Sequence, residues 1–189
     1  MEPDIPDKYT LIAADLSLKR PGFCKMFVVT KDGESYISRI ETMSVDNKTK
    51  VKARGMILKE IKEALTQFCA NESNVFFVRE RSVNNCIGKL ARSGTAARTG
   101  VSEVVGIADL VAWEHSTKEW DEIFPVTIKK ILTGHGKAEK QDVAKALHLY
   151  LPDIDYKNDD ESDAAAVAIA WLINHKQISQ ILQEDKENE

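Results

Sequence analysis

Two apolar runs, each closed by a carboxylate, most constrain how this chain can fold. One is Leu11-Ile12-Ala13-Ala14-Asp15; the other is Val75-Phe76-Phe77-Val78-Arg79-Glu80. Runs of this kind read as strands covered on both faces, as parallel strands in an α/β layer are. A carboxylate at the end of a buried strand is costly unless something compensates it. A third acidic group, Asp160-Glu161-Ser162-Asp163, opens an alanine-rich helical stretch. Two strand ends and a two-carboxylate helix start call for a shared partner, and a divalent cation is the natural candidate.

The segments between these landmarks complete a layer. Tyr9–Asp15 and Asn74–Glu80 are the buried strands. Phe23–Thr30 and Ser35–Thr42 are two more, joined through Asp32-Gly33, a dipeptide that accepts the positive φ of a tight hairpin. Lys50–Ala70 carries Ile57, Leu58, Ile61, Leu65 and Phe68 at helical spacing. Asp121–Val126 reads as a fifth strand, Thr127–Leu132 as a short helical piece, and Glu139–Leu151 as a longer helix. Pro152–Asn158 is a linker, and Asp160–Leu182 the last helix. The expected fold is α/β: a mixed five-stranded sheet, with a hairpin edge and parallel strands, flanked by helices. Residues 1–183 are expected to form one domain, with 184–189 as an acidic tail.

The helix expected over Thr99–Trp113 is apolar on more than one side, through Val101, Val104, Val105, Ile107, Leu110 and Val111. One face can cover the sheet and the other a second copy of the chain, which predicts a homodimer. Arg81–Arg98, before it, is basic and poor in apolar anchors, and reads as a surface loop or short helical piece.

Composition narrows the class. No apolar stretch approaches the ~20 residues of a membrane span. The acidic opening Met1–Asp7 lacks the basic start of a signal peptide. Cys24, Cys69 and Cys86 form no CxxC pair, so neither a disulfide framework nor a zinc site is indicated. Cytoplasmic location, in a bacterium or a virus of one, is the expectation. Net charge is −4 and pI about 5.7, which weighs against a nucleic-acid partner. The distribution weighs the other way, because basic residues cluster over 79–98 and 129–145 while acid concentrates over 153–163 and in the tail.

If Lys50–Ala70 is a crossover helix, its flanking strands pair in parallel and Asp15 and Glu80 become neighbours at the edge where ligands bind such sheets. Asp160 and Asp163 share a helix face; so do Asp159 and Asp163, which leaves Asp159 and Asp160 both open as the third acid. The set is all oxygen, which suits Mg²⁺ or Mn²⁺ rather than zinc. Two such ions, one activating water and the other stabilising the leaving 3′-oxygen, can hydrolyse a phosphodiester.

The sequence resembles the RuvC family of Holliday junction resolvases, within the ribonuclease H-like nuclease superfamily. Gly134-His135-Gly136-Lys137-Ala138-Glu139-Lys140-Gln141-Asp142-Val143 is similar to the family's Gly-x-Gly-x-Ala-x-Lys-x-x-Val segment. Asp160-Glu161-Ser162-Asp163-Ala164 is similar to its Asp-x-x-Asp-Ala helix start, a spacing that favours Asp160. The resemblance implies that Asp15, Glu80, Asp160 and Asp163 bind a catalytic metal pair, two Mg²⁺ ions per subunit, for which Mn²⁺ can substitute. It implies that Lys140 lies near the scissile phosphate, that Lys129 contacts DNA, and that the helix from Thr99 carries the dimer. Arg79, Arg81, Lys89, Arg92, Arg98 and Lys137 are further candidate DNA contacts. The implied reaction is symmetric nicking of four-way DNA junctions, leaving 5′-phosphate and 3′-hydroxyl ends. A broader branched-DNA, flap or hybrid nuclease and a non-catalytic junction-binding module are the alternatives.

The chain departs from the family in two places. Its first aspartate sits in Ala13-Ala14-Asp15-Leu16-Ser17 instead of Gly-Ile-Asp-Pro-Gly. Val83 and Asn84 follow Glu80 where the family often has a base-stacking aromatic.

Overall fold

The computed structural model describes residues 5–47, 53–81, 95–116 and 120–181, without the side chains of 95–99. Five strands form one sheet in the order β3-β2-β1-β4-β5. They are β1 (Lys8–Asp15), β2 (Gly22–Lys31), β3 (Glu34–Ser44), β4 (Val75–Glu80) and β5 (Asp121–Ile123). β1 pairs with β2, and β2 with β3, antiparallel; β4 runs parallel to both β1 and β5. The mixed ribonuclease H-like sheet expected from the sequence is therefore present. Asp32 and Gly33 both have positive φ, 56° and 83°, and turn β2 into β3.

Side-chain alternation divides the core into two layers. Leu11 and Ala13 of β1, with Phe76 and Val78 of β4, face helix α5 (Asp159–Asn174). Helices α3 (Pro125–Thr133) and α4 (Lys140–Tyr150) close that layer. Ile12 and Ala14, with Phe77, face α1 (Arg54–Cys69) and α2 (Thr95–Ser116) on the other side. Asp15 and Glu80 continue the first register, so both carboxylates belong to the α5 layer. Cys24 and Cys69 are buried thiols, and Cys86 lies outside the described residues.

Several expectations shift here. β5 stops at Ile123, because Pro125 starts α3 at a position where its missing N–H costs nothing. The last helix ends at Asn174 rather than Leu182: Lys176 takes φ 56° and the Gln177 N–H turns back to the Leu172 carbonyl at 2.8 Å. The helix buried all round is α5, whose residues Ala164 through Leu172 are all buried. α2 buries one face, through Val104, Ala108, Val111 and Ala112, and leaves Leu110 and Trp113 exposed. Most of the basic segment 81–98, including Lys89 and Arg92, lies outside the described residues, as do the Arg98 side chain and the acidic tail. Among the described residues, no helix is long and apolar enough to cross a membrane.

Candidate nuclease site

The site forms where β1 and β4 end beside the start of α5. Ala14 pairs with Arg79 in the parallel ladder, so Asp15 and Glu80, one residue further on, stand side by side. The helix reaches them because β2 begins with a glycine. A Cβ built on Gly22 would sit 1.9 Å from the Asp160 carbonyl oxygen, so only glycine allows that approach.

Asn158, not an aspartate, caps α5. Its side chain accepts the Glu161 N–H at 3.2 Å. Asp160 and Asp163 are therefore released from capping, and the cap adds to a helix start that favours negative charge. Glu161, between them, is fully buried. It accepts the Thr42 hydroxyl at 2.8 Å and the Ser44 hydroxyl at 3.0 Å, so it fastens the helix start to β3. Sequence reasoning passed over Glu161, Gly22 and Arg20. For Glu161 a signal existed, since it follows Asp160 on a helix whose next buried positions are all apolar.

Burial pushes the Asp15 carboxyl up to about 6, with Asp163 and Asp160 adding to the rise and Lys140 opposing it. Glu80 rises to about 7 for the same first reason, then through Asp15 and Asp163, against Lys140 and Lys129. Both strand-end acids thus sit in a desolvated field of like charge, which a bound cation would relieve. The cations present are bonded to the helix pair instead. Lys140 donates to Asp163 at 2.8 Å, and Arg20 donates through Nε to Asp160. Asp160 is partly buried and Asp159 exposed. Asp160 is also the one of the two whose charge acts on Asp15. Among the described residues, no three Asp, Glu, His or Cys side chains converge tightly enough to ligate one ion as they stand. The all-carboxylate donor set from three elements nevertheless suits a hard divalent ion in chemistry and charge.

The glycine-lysine segment has its own architecture. Gly134 ends α3 in the left-handed region at φ 80°, and a Cβ on Gly136 would meet Val126 at 3.3 Å. The α3–α4 turn thus favours glycine at 134 through its left-handed φ, and at 136 leaves only a tight fit for a side chain. Glu139 and Asp142 cap α4 reciprocally, which fixes Lys140 in its first turn. Lys129 lies near enough to lower the Glu80 carboxyl. Lys137 and His135 are exposed beside a pocket of about 430 Å³.

Arg79 points to the face away from the carboxylates. It bonds Asp109 of α2 and, at 3.0 Å, Glu122 of β5, and its side chain is 11% exposed. Arg81 is half exposed and lies over the ring of Phe124, itself 48% exposed, with its guanidinium carbon 4.6 Å from the ring centre.

A ribonuclease H-like sheet that gathers four carboxylates at its strand ends and a helix start defines a class of α/β proteins. Within it, the family described as Crossover junction endodeoxyribonuclease RuvC matches residues 21–171, and this chain belongs to that family. A RuvC of Desulforamulus reducens is 46% identical over 78 residues, covering 39% of this chain and 46% of the relative. One of Rickettsia bellii is 36% identical over 78 residues, covering 41% and 45%. The matched stretches thus span less than half the length of these relatives. The structure entitled "T. thermophilus RuvC in complex with Holliday junction substrate" superposes with a TM-score of 0.59 at 20% identity. That superposition covers 86% of this chain and 92% of that one, a likeness of fold.

Proposed function

We propose that this protein is a Mg²⁺-dependent endonuclease that resolves four-way DNA junctions. The observation that carries the reading is the pair Asp15 and Glu80, side by side at parallel strand ends without a salt-bridge partner among the described residues, in the field of Asp160 and Asp163 at the sheet edge. A pure DNA-binding module gains nothing from such negative charge turned toward a polyanion.

Asp15, Glu80, Asp160 and Asp163 would hold the metal, two divalent ions per subunit balancing the charge of the four acids. When bound, such ions activate water and stabilise the leaving 3′-oxygen, giving 5′-phosphate ends. The chain's own groups do the rest. Lys140, in the first turn of α4, brings an ammonium to the side where charge grows on the phosphate. Lys129, Lys137 and Arg81 line the approach and draw the backbone in. Arg81 over Phe124 offers a flat, partly apolar surface to a base. Symmetric nicking of a two-fold junction calls for two copies, and the exposed Leu110 and Trp113 of α2 supply an apolar face for them.

Synthetic four-way junctions, Y-forks and linear duplex, incubated in Mg²⁺ beside an Asp163→Asn variant, test the reading. Paired nicks in the junction, lost in the variant while junction binding persists, are expected. Tight junction binding with no cleavage of any substrate would leave a binding module. Equal cleavage of forks would widen the activity to branched DNA.

A further inference from the structure

The cation on Asp160 comes from a loop built to deliver it. The segment between β1 and β2 is held at successive residues. Ser17 Oγ accepts the Arg20 N–H at 3.0 Å, the Lys19 carbonyl accepts the Asn47 N–H at 2.9 Å, and the Pro21 carbonyl accepts the Val45 N–H at 3.2 Å. Gly22 then lies against the Asp160 backbone. Within this frame Arg20 donates through Nε to Oδ2 of Asp160, and the two side chains are 22% and 21% exposed. An ion pair whose backbone is fixed on both sides loses little conformational freedom in forming, unlike a surface pair of two free side chains.

We infer that Arg20 is a resident counter-ion of the metal site, holding an oxygen of Asp160 that a divalent ion must win and so weakening metal uptake until DNA is present. The inference rests on the proposed metal-dependent reading of the four carboxylates. Two features give the direction of the effect. Asp160 and Asp163 are each bonded to a cation, whereas Asp15 and Glu80 form no salt bridge among the described residues. A fixed guanidinium beside a divalent ion also repels it, and the site is too buried for full screening. A DNA phosphate changes the balance, because it adds negative charge for the ions and gives the released guanidinium a new acceptor. Arg20 is then a specificity device: it couples ion loading to the presence of substrate.

Calorimetric titration of the full chain with MnCl₂, without DNA, tests this. Arg20→Gln should bind Mn²⁺ about tenfold more tightly at one site, the size expected for removing one nearby charge. Arg20→Lys keeps the charge and should stay near wild type. Unchanged or weaker binding in Arg20→Gln would overturn the inference, the latter meaning that Arg20 orients Asp160 for the metal. An equal gain in Arg20→Lys would also overturn it, since loop disruption rather than charge would then be the cause. Mn²⁺ uptake by neither protein would remove both this inference and the metal part of the functional reading. Arg20-dependent uptake by a protein that cuts no DNA would remove the nuclease reading alone.

Discussion

Gly22 and Asp160 touch backbone to backbone: a methyl group on the glycine would lie 1.9 Å from the aspartate's carbonyl oxygen. The contact sets how far the start of α5 can advance over the sheet edge, and with it the position of two of the four acids. Gly22→Ala must push the helix away or bend β2. We expect a loss of about 3 kcal/mol, read by thermal melting. Nuclease activity should fall further than the residual folded fraction accounts for. A variant as stable and active as wild type would mean the approach is not constrained.

Glu161 holds the same helix start from its buried side. Removing its carboxylate leaves the Thr42 and Ser44 hydroxyls without their acceptor inside the protein. Glu161→Ala should cost about 2–4 kcal/mol by denaturant unfolding. Glu161→Gln keeps an acceptor and the shape, and should cost roughly 1 kcal/mol. Equal losses in the two variants would show that the pair of accepting carboxylate oxygens, not the side-chain volume that Gln retains, is the main contribution.

How much of this was readable beforehand follows from which interactions are local. Asp15 and Glu80 stood out because each closes an apolar run, and a run is a one-dimensional signal. Arg20 did not, since only folding brings it to Asp160, 140 residues away. The same holds for Gly22, whose neighbour is also Asp160. The full burial of α5 is hard to read in sequence because alanine carries little hydropathy: Ala164, Ala165, Ala166, Ala168 and Ala170 look modest, yet they let α5 sit in the centre of the core. The end of α5 was missed because Lys176, a residue without special turn preference, takes the left-handed conformation there.

The raised carboxyls predict a pH dependence with a definite sign. Asp15 and Glu80 hold protons in the folded protein up to about 6 and 7, whereas in the unfolded chain they release them near 4. Between those limits the folded state binds more protons, so stability without divalent ions falls as pH rises. The contribution is fully present below about pH 4 and gone above about 7. Asp15→Asn removes one titration, so its melting temperature should fall less than that of wild type between pH 5 and 8. Parallel pH profiles for the two proteins would refute the assignment. Metal uptake should strengthen over the same range, since binding must release those protons.

Arg79 and Arg81 are two residues apart and should behave differently. Arg79 joins β4, β5 and α2 through Asp109 and Glu122. Its partners are partly exposed, so Arg79→Ala should cost about 1–2 kcal/mol of stability and change DNA affinity little. Arg81→Ala should leave melting within about 0.5 kcal/mol of wild type. It should weaken junction binding several-fold and lower the salt dependence by about one phosphate contact. A reversal of the two phenotypes would place the DNA path on the α2 face.

Helix α2 carries both a core face and an exposed apolar face. Val104 is fully buried within the chain's own α1–α2 layer, whereas Leu110 is 45% and Trp113 60% exposed. A charge at Val104 must enter the core, so Val104→Glu should unfold the protein whatever its oligomeric state. Leu110→Glu and Trp113→Glu touch no core position and should melt within about 1 kcal/mol of the wild-type monomer. If α2 carries the dimer, both should shift the protein to monomer in sedimentation equilibrium, because a charge at the apolar centre of a two-fold interface meets its own copy. Paired nicking of a junction should then decay into single nicks, as each subunit acts alone. A fully dimeric Leu110→Glu, Trp113→Glu double variant would move the interface off this helix.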